Sequence, residues 1–363
     1  MARQLESDKV LFAAVVVLVL FGAVMVFSAS AVLAADRYGS SYYFLVRQVA
    51  WASLGLAAMV AILNVDYRRL AKPPVVFTAL AVQLVLLVGV LFSARSHNAH
   101  RWFHLGPATF QPAEFSKIVL VIFLAYFLDL RRETVNDWKH SLAPIALVSG
   151  MSIALVVMEP DLGTSLALAL IVAAMLFTAG LRLSYFVYAL LAALPVLYLL
   201  TFHVSYRYNR LLAFLNPYAD PLGKGFQIIQ STIAVGTGGI GGVGLMEGKQ
   251  KLFFLPEPQT DFIYAVIGEE LGMVGAVAVL AVFAVILWRG LRAAARCPTE
   301  FGRLLATGLT VMLVGQALVN ISVVMGLTPT KGIPLPFISY GGSSLLMSLF
   351  AVGILLNISQ HSN

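Results

Sequence analysis

The sequence predicts an all-α polytopic membrane protein of about ten transmembrane helices. Both termini are expected in the cytoplasm, with a large extracytoplasmic loop between helices 7 and 8. Three observations carry that expectation. Hydrophobic residues make up 60% of the 363-residue chain and charged residues 11%, whereas a soluble domain carries about 25% charged residues. Charge-free stretches long enough to cross about 30 Å of hydrocarbon, roughly 20 residues each, recur throughout. Basic residues are unevenly divided among the connections between those stretches. A single cysteine excludes a disulfide framework and a cysteine-based metal site. In such a chain the net charge of +7 orients helices rather than marking a nucleic-acid partner.

The first helix, about 10–34, is expected to be retained. Its apolar run exceeds the about 7–15 residues of a signal h-region, although the small residues Ser28-Ala29-Ser30-Ala31 follow it. Further helices are expected at about 44–64, 74–93, 112–129, 141–158, 161–180, 184–203, 261–288, 304–326 and 337–358. The connections at Glu159-Pro160-Asp161 and Gly180–Arg182 are so short that their flanking helices form antiparallel hairpins.

With a cytoplasmic N-terminus, the inside segments hold Arg3, Lys9, Arg68, Arg69, Lys72, Arg131, Arg132, Lys139, Arg182, Arg289, Arg292, Arg296 and Arg303. The short outside loops hold only Arg37, Arg95, Arg101 and Lys331. That asymmetry places both ends inside. The chain reads as one transmembrane domain, 1–363, with an extracytoplasmic loop at 205–260.

Long loops with their own pattern are usually functional. Asn216-Pro217 and Asp220-Pro221 mark turns in this one. Residues 225–235 carry Phe226, Ile228, Ile229 and Ile233 at helical spacing, an interfacial or re-entrant helix. The glycine run that follows contains overlapping matches to a dinucleotide fingerprint, from Gly236 to Gly241 and from Gly239 to Gly244. A helical pattern rather than a strand precedes it, so the fingerprint lacks its structural context. A tightly turning backbone is the better account.

Several polar groups stand where a bundle meets water. His97, His100 and His104 have a spacing that would suit zinc on a helix, but no fourth ligand accompanies them. Interfacial histidines beside Trp102 and Phe103 are the favoured account. Glu114 and Lys117, at i and i+3 near the start of the fourth helix, are either a self-satisfied ion pair or, with Arg101, a corner that binds a diphosphate. Asp161 reads as a cap or turn residue beside Glu159.

Asp261 opens the eighth helix after Pro256-Glu257-Pro258-Gln259-Thr260. It is either an N-cap or a carboxylate at the water–lipid boundary, placed to take a proton from a hydroxyl. Glu269 and Glu270 follow, about 12–13 Å deeper on a continuous helix, with no basic residue nearby in sequence. The last outside loop, 326–344, is rich in proline and glycine. Lys331 is its one charge, and Ser339, Ser343 and Ser344 offer hydrogen bonds for packing, gating or substrate.

The stretches RWFHLGPATFQPAEFSK (101–117), EPDLGTSL (159–166), RLLAFLNPYADPLGKGFQIIQS (210–231), QKLFFLPEPQTDFIYAVIGEELG (250–272) and GLTPTKGIPLPFISYGGSSL (326–345) together resemble the SEDS family of FtsW, RodA and SpoVE proteins. Pro-Thr-Lys-Gly at 329–332 and Gly-Glu-Glu-Leu at 268–271 are more similar to the FtsW branch than to the RodA branch. The resemblance implies ten helices with cytoplasmic ends and a peptidoglycan glycosyltransferase. Such an enzyme polymerises lipid II, with inversion, at the outer face of the cytoplasmic membrane, at the division septum or during elongation. It implies Asp261 as the catalytic carboxylate, with Arg101, Glu114, Lys117, Lys331, Ser339 and Ser343 expected around lipid II and its diphosphate. One departure stands out: Gln259 occupies the position before Thr-Asp-Phe where the family usually has histidine.

A class B penicillin-binding transpeptidase and other divisome proteins are the implied partners, along with lipid II, polyprenyl diphosphate and membrane lipids. No nucleic acid and no protein-bound cofactor are implied, and a divalent cation (Mg2+ or Mn2+) is the one candidate. The alternatives from other classes are a lipid II flippase, which a bundle with intramembrane acids and broken segments would also suit, and a non-catalytic scaffold for a transpeptidase.

Overall fold

The computed structural model describes residues 7–93, 100–106 and 108–361; Arg3, Arg95 and His97 lie outside them. Among the described residues the chain forms twelve α-helices and one two-stranded hairpin. The helices are α1 (Lys9–Tyr38), α2 (Tyr43–Leu63), α3 (Pro73–Val90), α4 (Pro112–Leu130), α5 (Ala143–Met158), α6 (Leu162–Thr178), α7 (Leu183–Phe202), α8 (Ser205–Leu215), α9 (Phe226–Gly238), α10 (Ile263–Arg296), α11 (Glu300–Val324) and α12 (Gly342–Gln360). Strands β1 (Phe103–Leu105) and β2 (Ala108–Phe110) pair antiparallel before α4.

Among the described residues eight helices are long and apolar enough to cross a membrane: α1, α2, α3, α7, α10, α11, α12, and α5 taken with the turn of π-helix from Trp138. Two more helices fall at expected segments. Apolar α6 has 17 residues, and α4 has 19 but includes Glu114, Lys117 and Asp129. Helix ends follow the local chemistry. Asp8 caps α1 by accepting from the Val10 and Leu11 amides, and Gly39 ends it in the left-handed region. Prolines open α3, α4 and α5, where a missing N–H costs nothing.

The centre of the bundle is α11, packed on α10, α4 and α6, and α12, packed on α2. By contrast α7 buries none of its residues. At one end of the bundle the Asp8 amide donates to Ser359 Oγ at 3.1 Å and Arg289 pairs with Asp8 at 2.5 Å. Tyr67 and Thr299 hydroxyls meet there at 2.9 Å. The two ends of the chain therefore lie side by side with the α2–α3 and α10–α11 connections. The opposite end, the loop face, gathers the α3–α4, α5–α6, α7–α10 and α11–α12 connections.

Two expectations change. The loop at 205–260 contains α8 as well as the helix expected at 225–235, here α9. The helix expected at 261–288 is not continuous: Gly272, at φ 63 and ψ −161, breaks α10. The Tyr264 hydroxyl consequently donates to the Ala276 carbonyl at 3.1 Å, across a separation of about 18 Å in a straight helix. The glycine run makes this fold-back close. Val243 and Gly244 amides donate to the Glu269 and Glu270 carbonyls, and Met273 and Val274 amides to the Gly239 and Ile240 carbonyls. A Cβ on Gly238 would lie 1.9 Å from the Gly268 carbonyl oxygen.

Candidate active site

The loop face converges on Asp261, in the turn that leads into α10. Three successive carbonyls fix its backbone. Gln259 O accepts from the Tyr340 amide at 2.8 Å, Thr260 O from Ser339 Oγ at 2.6 Å, and Asp261 O from Asn320 Nδ2 at 2.8 Å. Asn320 also donates to Ile333 O at 2.7 Å, so one α11 amide ties the Asp261 turn to the final loop. The Asp261 side chain stays half-buried, and a Cβ on Gly332 would stand 3.0 Å from its Oδ2. Burial pushes its pKa up to about 7; Arg210 and Arg101 oppose the rise, while Glu257 and Asp161 add to it.

The cations around it are placed by backbone carbonyls. Arg210, on α8, donates to Thr330 O at 2.9 Å. Arg101 donates through Nε to Glu159 O at 3.0 Å and through its second guanidinium nitrogen to Pro160 O. Arg101 thus bridges from the segment before α4 to the α5–α6 hairpin. In that hairpin Asp161 is the α6 cap, accepting from the Thr164 amide at 3.0 Å, Thr164 Oγ1 at 2.9 Å and Gln111 at 3.1 Å. Glu159 is 0% exposed, and neither carboxyl oxygen has a partner among the described residues. Burial, aided by Asp161 and opposed by Arg101, pushes its pKa up to about 8. Lys331 is half-buried in the final loop, and burial lowers its pKa.

The remaining expected residues lie behind this surface. Lys117, 3% exposed, donates to Glu114 at 2.9 Å and to Gln316 Oε1 at 2.5 Å. Gln316 in turn donates to Pro334 O at 2.9 Å. The pair therefore supports the final loop from below. Ser339 is spent on Thr260 O and on the Leu335 amide at 2.8 Å, while buried Ser343 Oγ has no partner among the described residues. Gln259 donates to Glu257 at 3.0 Å, so at the position of the family histidine an amide holds a neighbouring carboxylate.

Glu269 and Glu270 do not lie deeper on a continuous helix, because Gly272 turns the chain behind them. Both are buried and bind the loop. Glu269 accepts from the Lys249 and Gln250 amides at 2.8 and 3.2 Å. Glu270 pairs with Lys251 at 2.5 Å and accepts from Ser28 Oγ at 2.7 Å and the Met246 amide at 3.0 Å. Sequence reasoning missed Lys251, Arg210, Gln316, Asn320 and Gly332. Arg210, Lys251 and Gly332 lay inside the family-like stretches and Gln316 and Asn320 outside them, yet nothing local linked any of them to the site.

His104 is exposed on β1 and His100 contacts Ser93 O at 2.6 Å; His97 lies outside the described residues. Among the described residues no three His, Cys, Asp or Glu side chains gather as a ligand set. Those residues offer no three-ligand set to a divalent cation held by the protein alone.

The profile of the family described as a cell cycle protein (FtsW/RodA/SpoVE) matches residues 8–363. The chain is 46% identical over 355 residues to a probable peptidoglycan glycosyltransferase FtsW of Geobacter metallireducens, covering 97% of this chain and 94% of that one. It is 40% identical over 363 residues to the stage V sporulation protein E of Bacillus subtilis, covering 99% of each. Among solved structures, a chain from work on the structural coordination of polymerization and crosslinking by a peptidoglycan synthase complex superposes with a TM-score of 0.80 at 32% identity. That match covers 98% of this chain and 99% of the other. The rod shape determining protein RodA of Thermus thermophilus gives a TM-score of 0.73 at 28% identity, covering 99% and 98%. On its fold, its motifs and a match over nearly its whole length, the chain belongs to the FtsW/RodA/SpoVE (SEDS) family.

Proposed function

We propose that the protein is a peptidoglycan glycosyltransferase that polymerises lipid II at the outer face of the cytoplasmic membrane, as the division member of its family. The single observation that carries the reading is Asp261: a half-buried carboxylate with a pKa of about 7, its backbone fixed by three hydrogen bonds, among cations at the loop face. A general base works best with a pKa near the ambient pH.

In the proposed reaction the GlcNAc 4-hydroxyl of incoming lipid II gives its proton to Asp261. Its oxygen bonds the anomeric carbon of the growing strand, with inversion. The bond from that carbon to the polyprenyl diphosphate breaks, and its electron pair leaves on the diphosphate. Charge developing there needs preorganised cations, and Arg101 and Lys331 are the two on hand that were expected from sequence, with Arg210 beside them. Glu114, Lys117 and Ser339 act by holding the final loop. The two cytoplasmic ends, the septal location and a class B transpeptidase partner, with other divisome proteins, belong to the same proposal. Relatives with FtsW names and the likeness to a chain of a peptidoglycan synthase complex support it.

The test is glycan polymerisation from labelled lipid II by the purified protein with its cognate transpeptidase, wild type beside Asp261→Asn. Long glycans from the first and none from the second are expected. Equal rates would remove Asp261 from the chemistry, whereas lipid II translocation without glycan would favour the flippase.

A further inference from the structure

The α5–α6 hairpin holds a carboxyl group for which the proposed chemistry has no task. Glu159 is fully buried, and neither of its carboxyl oxygens has a hydrogen-bond partner among the described residues. Ionised, it would carry the full cost of a buried charge without a contact, whereas the neutral acid forfeits only hydrogen bonds. Burial is the largest effect on its pKa; Asp161, two residues on, adds to the rise and Arg101 opposes it, and the result is about 8. The other charged groups of this face are engaged elsewhere. Glu114 and Lys117 of α4 hold each other, and Arg207 and Arg210 of α8 donate to the Leu200 and Thr330 carbonyls. Lys331 of the final loop lies with Gly163 between α6 and α11.

Arg101 is tied to the same residue through a different atom. Its Nε donates to the Glu159 carbonyl at 3.0 Å, and its second guanidinium nitrogen donates to the Pro160 carbonyl. Both acceptors are neutral, so these bonds place the guanidinium without cancelling its charge. Its field reaches Asp261 on one side and Arg207 on another. The carbonyl and the carboxyl of one glutamate are joined by a few rotatable bonds, so a guanidinium held on the first is within reach of the second. An ionised Glu159 has that cation to turn to, and a two-pronged arginine–carboxylate pair is among the strongest contacts open to it.

We propose that Glu159 is a positioning residue that works in its protonated form: neutral, it leaves the Arg101 guanidinium free for the substrate's diphosphate, and on losing its proton to solvent it draws that guanidinium onto its own carboxylate. This rests on the glycosyl-transfer reading, in which Arg101 serves the leaving diphosphate. A glutamine at this position has the shape of the neutral acid and no proton to lose.

The experiment compares wild type, Glu159→Gln, Arg101→Met and the double variant from pH 7 to pH 9, each with the cognate transpeptidase and each checked by thermal unfolding. The ratio of the Glu159→Gln polymerisation rate to the wild-type rate should rise on the order of tenfold over that span, as the wild-type carboxyl ionises. In the Arg101→Met background the glutamine should bring no such rise, because the cation that Glu159 captures is gone. A glutamate with only a structural role would change the rate by the same factor at both ends of the span. A constant ratio, or the same rise without Arg101, overturns the proposal. Binding of inorganic diphosphate to the purified proteins is the readout that needs no glycan. Wild-type affinity should fall on the order of tenfold relative to Glu159→Gln between pH 7 and pH 9. Equal courses for the two proteins, or no binding by either at pH 7, overturn the proposal as well. If binding follows the expected course and no glycan forms, the glycosyltransferase reading fails and the coupling of Glu159 to Arg101 stands.

Discussion

Gly332 lies against the Asp261 carboxylate so closely that a methyl group on it would come within 3.0 Å of Oδ2. That is tighter than an ordinary van der Waals contact, so the carboxylate or the loop would have to shift. Gly332→Ala should therefore leave the thermal unfolding temperature close to wild type and reduce polymerisation on the order of 100-fold, the cost of misplacing a reacting group by about 1 Å. A wild-type rate from a folded Gly332→Ala protein would show that the carboxylate has room to spare.

The raised pKa of Asp261 links activity and stability to pH in opposite directions. As a base it must be ionised, so the polymerisation rate should rise through a limb near pH 7. For stability, the folded protein holds the proton up to about pH 7, whereas an unfolded aspartate loses it near 3.8. Between those values the native state binds more protons, so this group's contribution to stability falls as pH rises. The unfolding temperature of Asp261→Asn should accordingly gain on wild type from pH 5 to pH 8. A constant difference across that range would place the carboxylate in a wetter setting than its burial implies.

Glu114 and Lys117 form a buried pair whose partners are shared with the final loop through Gln316. Lys117→Met strands a buried carboxylate and should cost about 3–5 kcal/mol. The double variant Glu114→Gln/Lys117→Met removes both charges and should recover much of that loss, because an uncharged amide replaces the stranded ion. Thermal unfolding of the two proteins separates these outcomes. If both are equally destabilised, the pair matters for its hydrogen bonds to Gln316 rather than for charge balance.

The apolar helices and the helix at 225–235 were legible in the sequence because each rests on a local pattern, an apolar run or a periodicity, and Asp261 stood out there as a carboxylate at a helix start. The break at Gly272 was not, since an isolated glycine in an apolar run looks like any other glycine in a membrane helix. What makes it a turn is the approach of Gly238–Gly244, some thirty residues earlier in the chain. Similarly, Glu114 and Lys117 are visible as an i,i+3 pair, while the link through Gln316 to Pro334 joins residues separated by over two hundred positions. The two acids at 269 and 270 lacked a visible partner because Lys251 reaches Glu270 only after the chain has doubled back.

That fold-back gives Glu270 a role testable apart from catalysis. Lys251 is buried, pairs with Glu270 at 2.5 Å and donates to Ser28 of α1 at 2.9 Å, so one ammonium ties the loop to two helices. Ten residues further along the same loop is Asp261. Lys251→Met leaves the Glu270 carboxylate with only Ser28 and the Met246 amide, and the segment around residues 242–257 should then open more readily. Local opening of this kind appears as loss of hydrogen-exchange protection before global unfolding. The variant should exchange faster in that segment and lose more activity than its unfolding temperature alone would suggest, because the Asp261 turn has lost an anchor on one side. Glu270→Gln keeps the shape but not the charge pair and should behave similarly. Unchanged exchange at 242–257 together with a wild-type rate would mean that the Glu269 contacts with the Lys249 and Gln250 amides suffice to hold the loop.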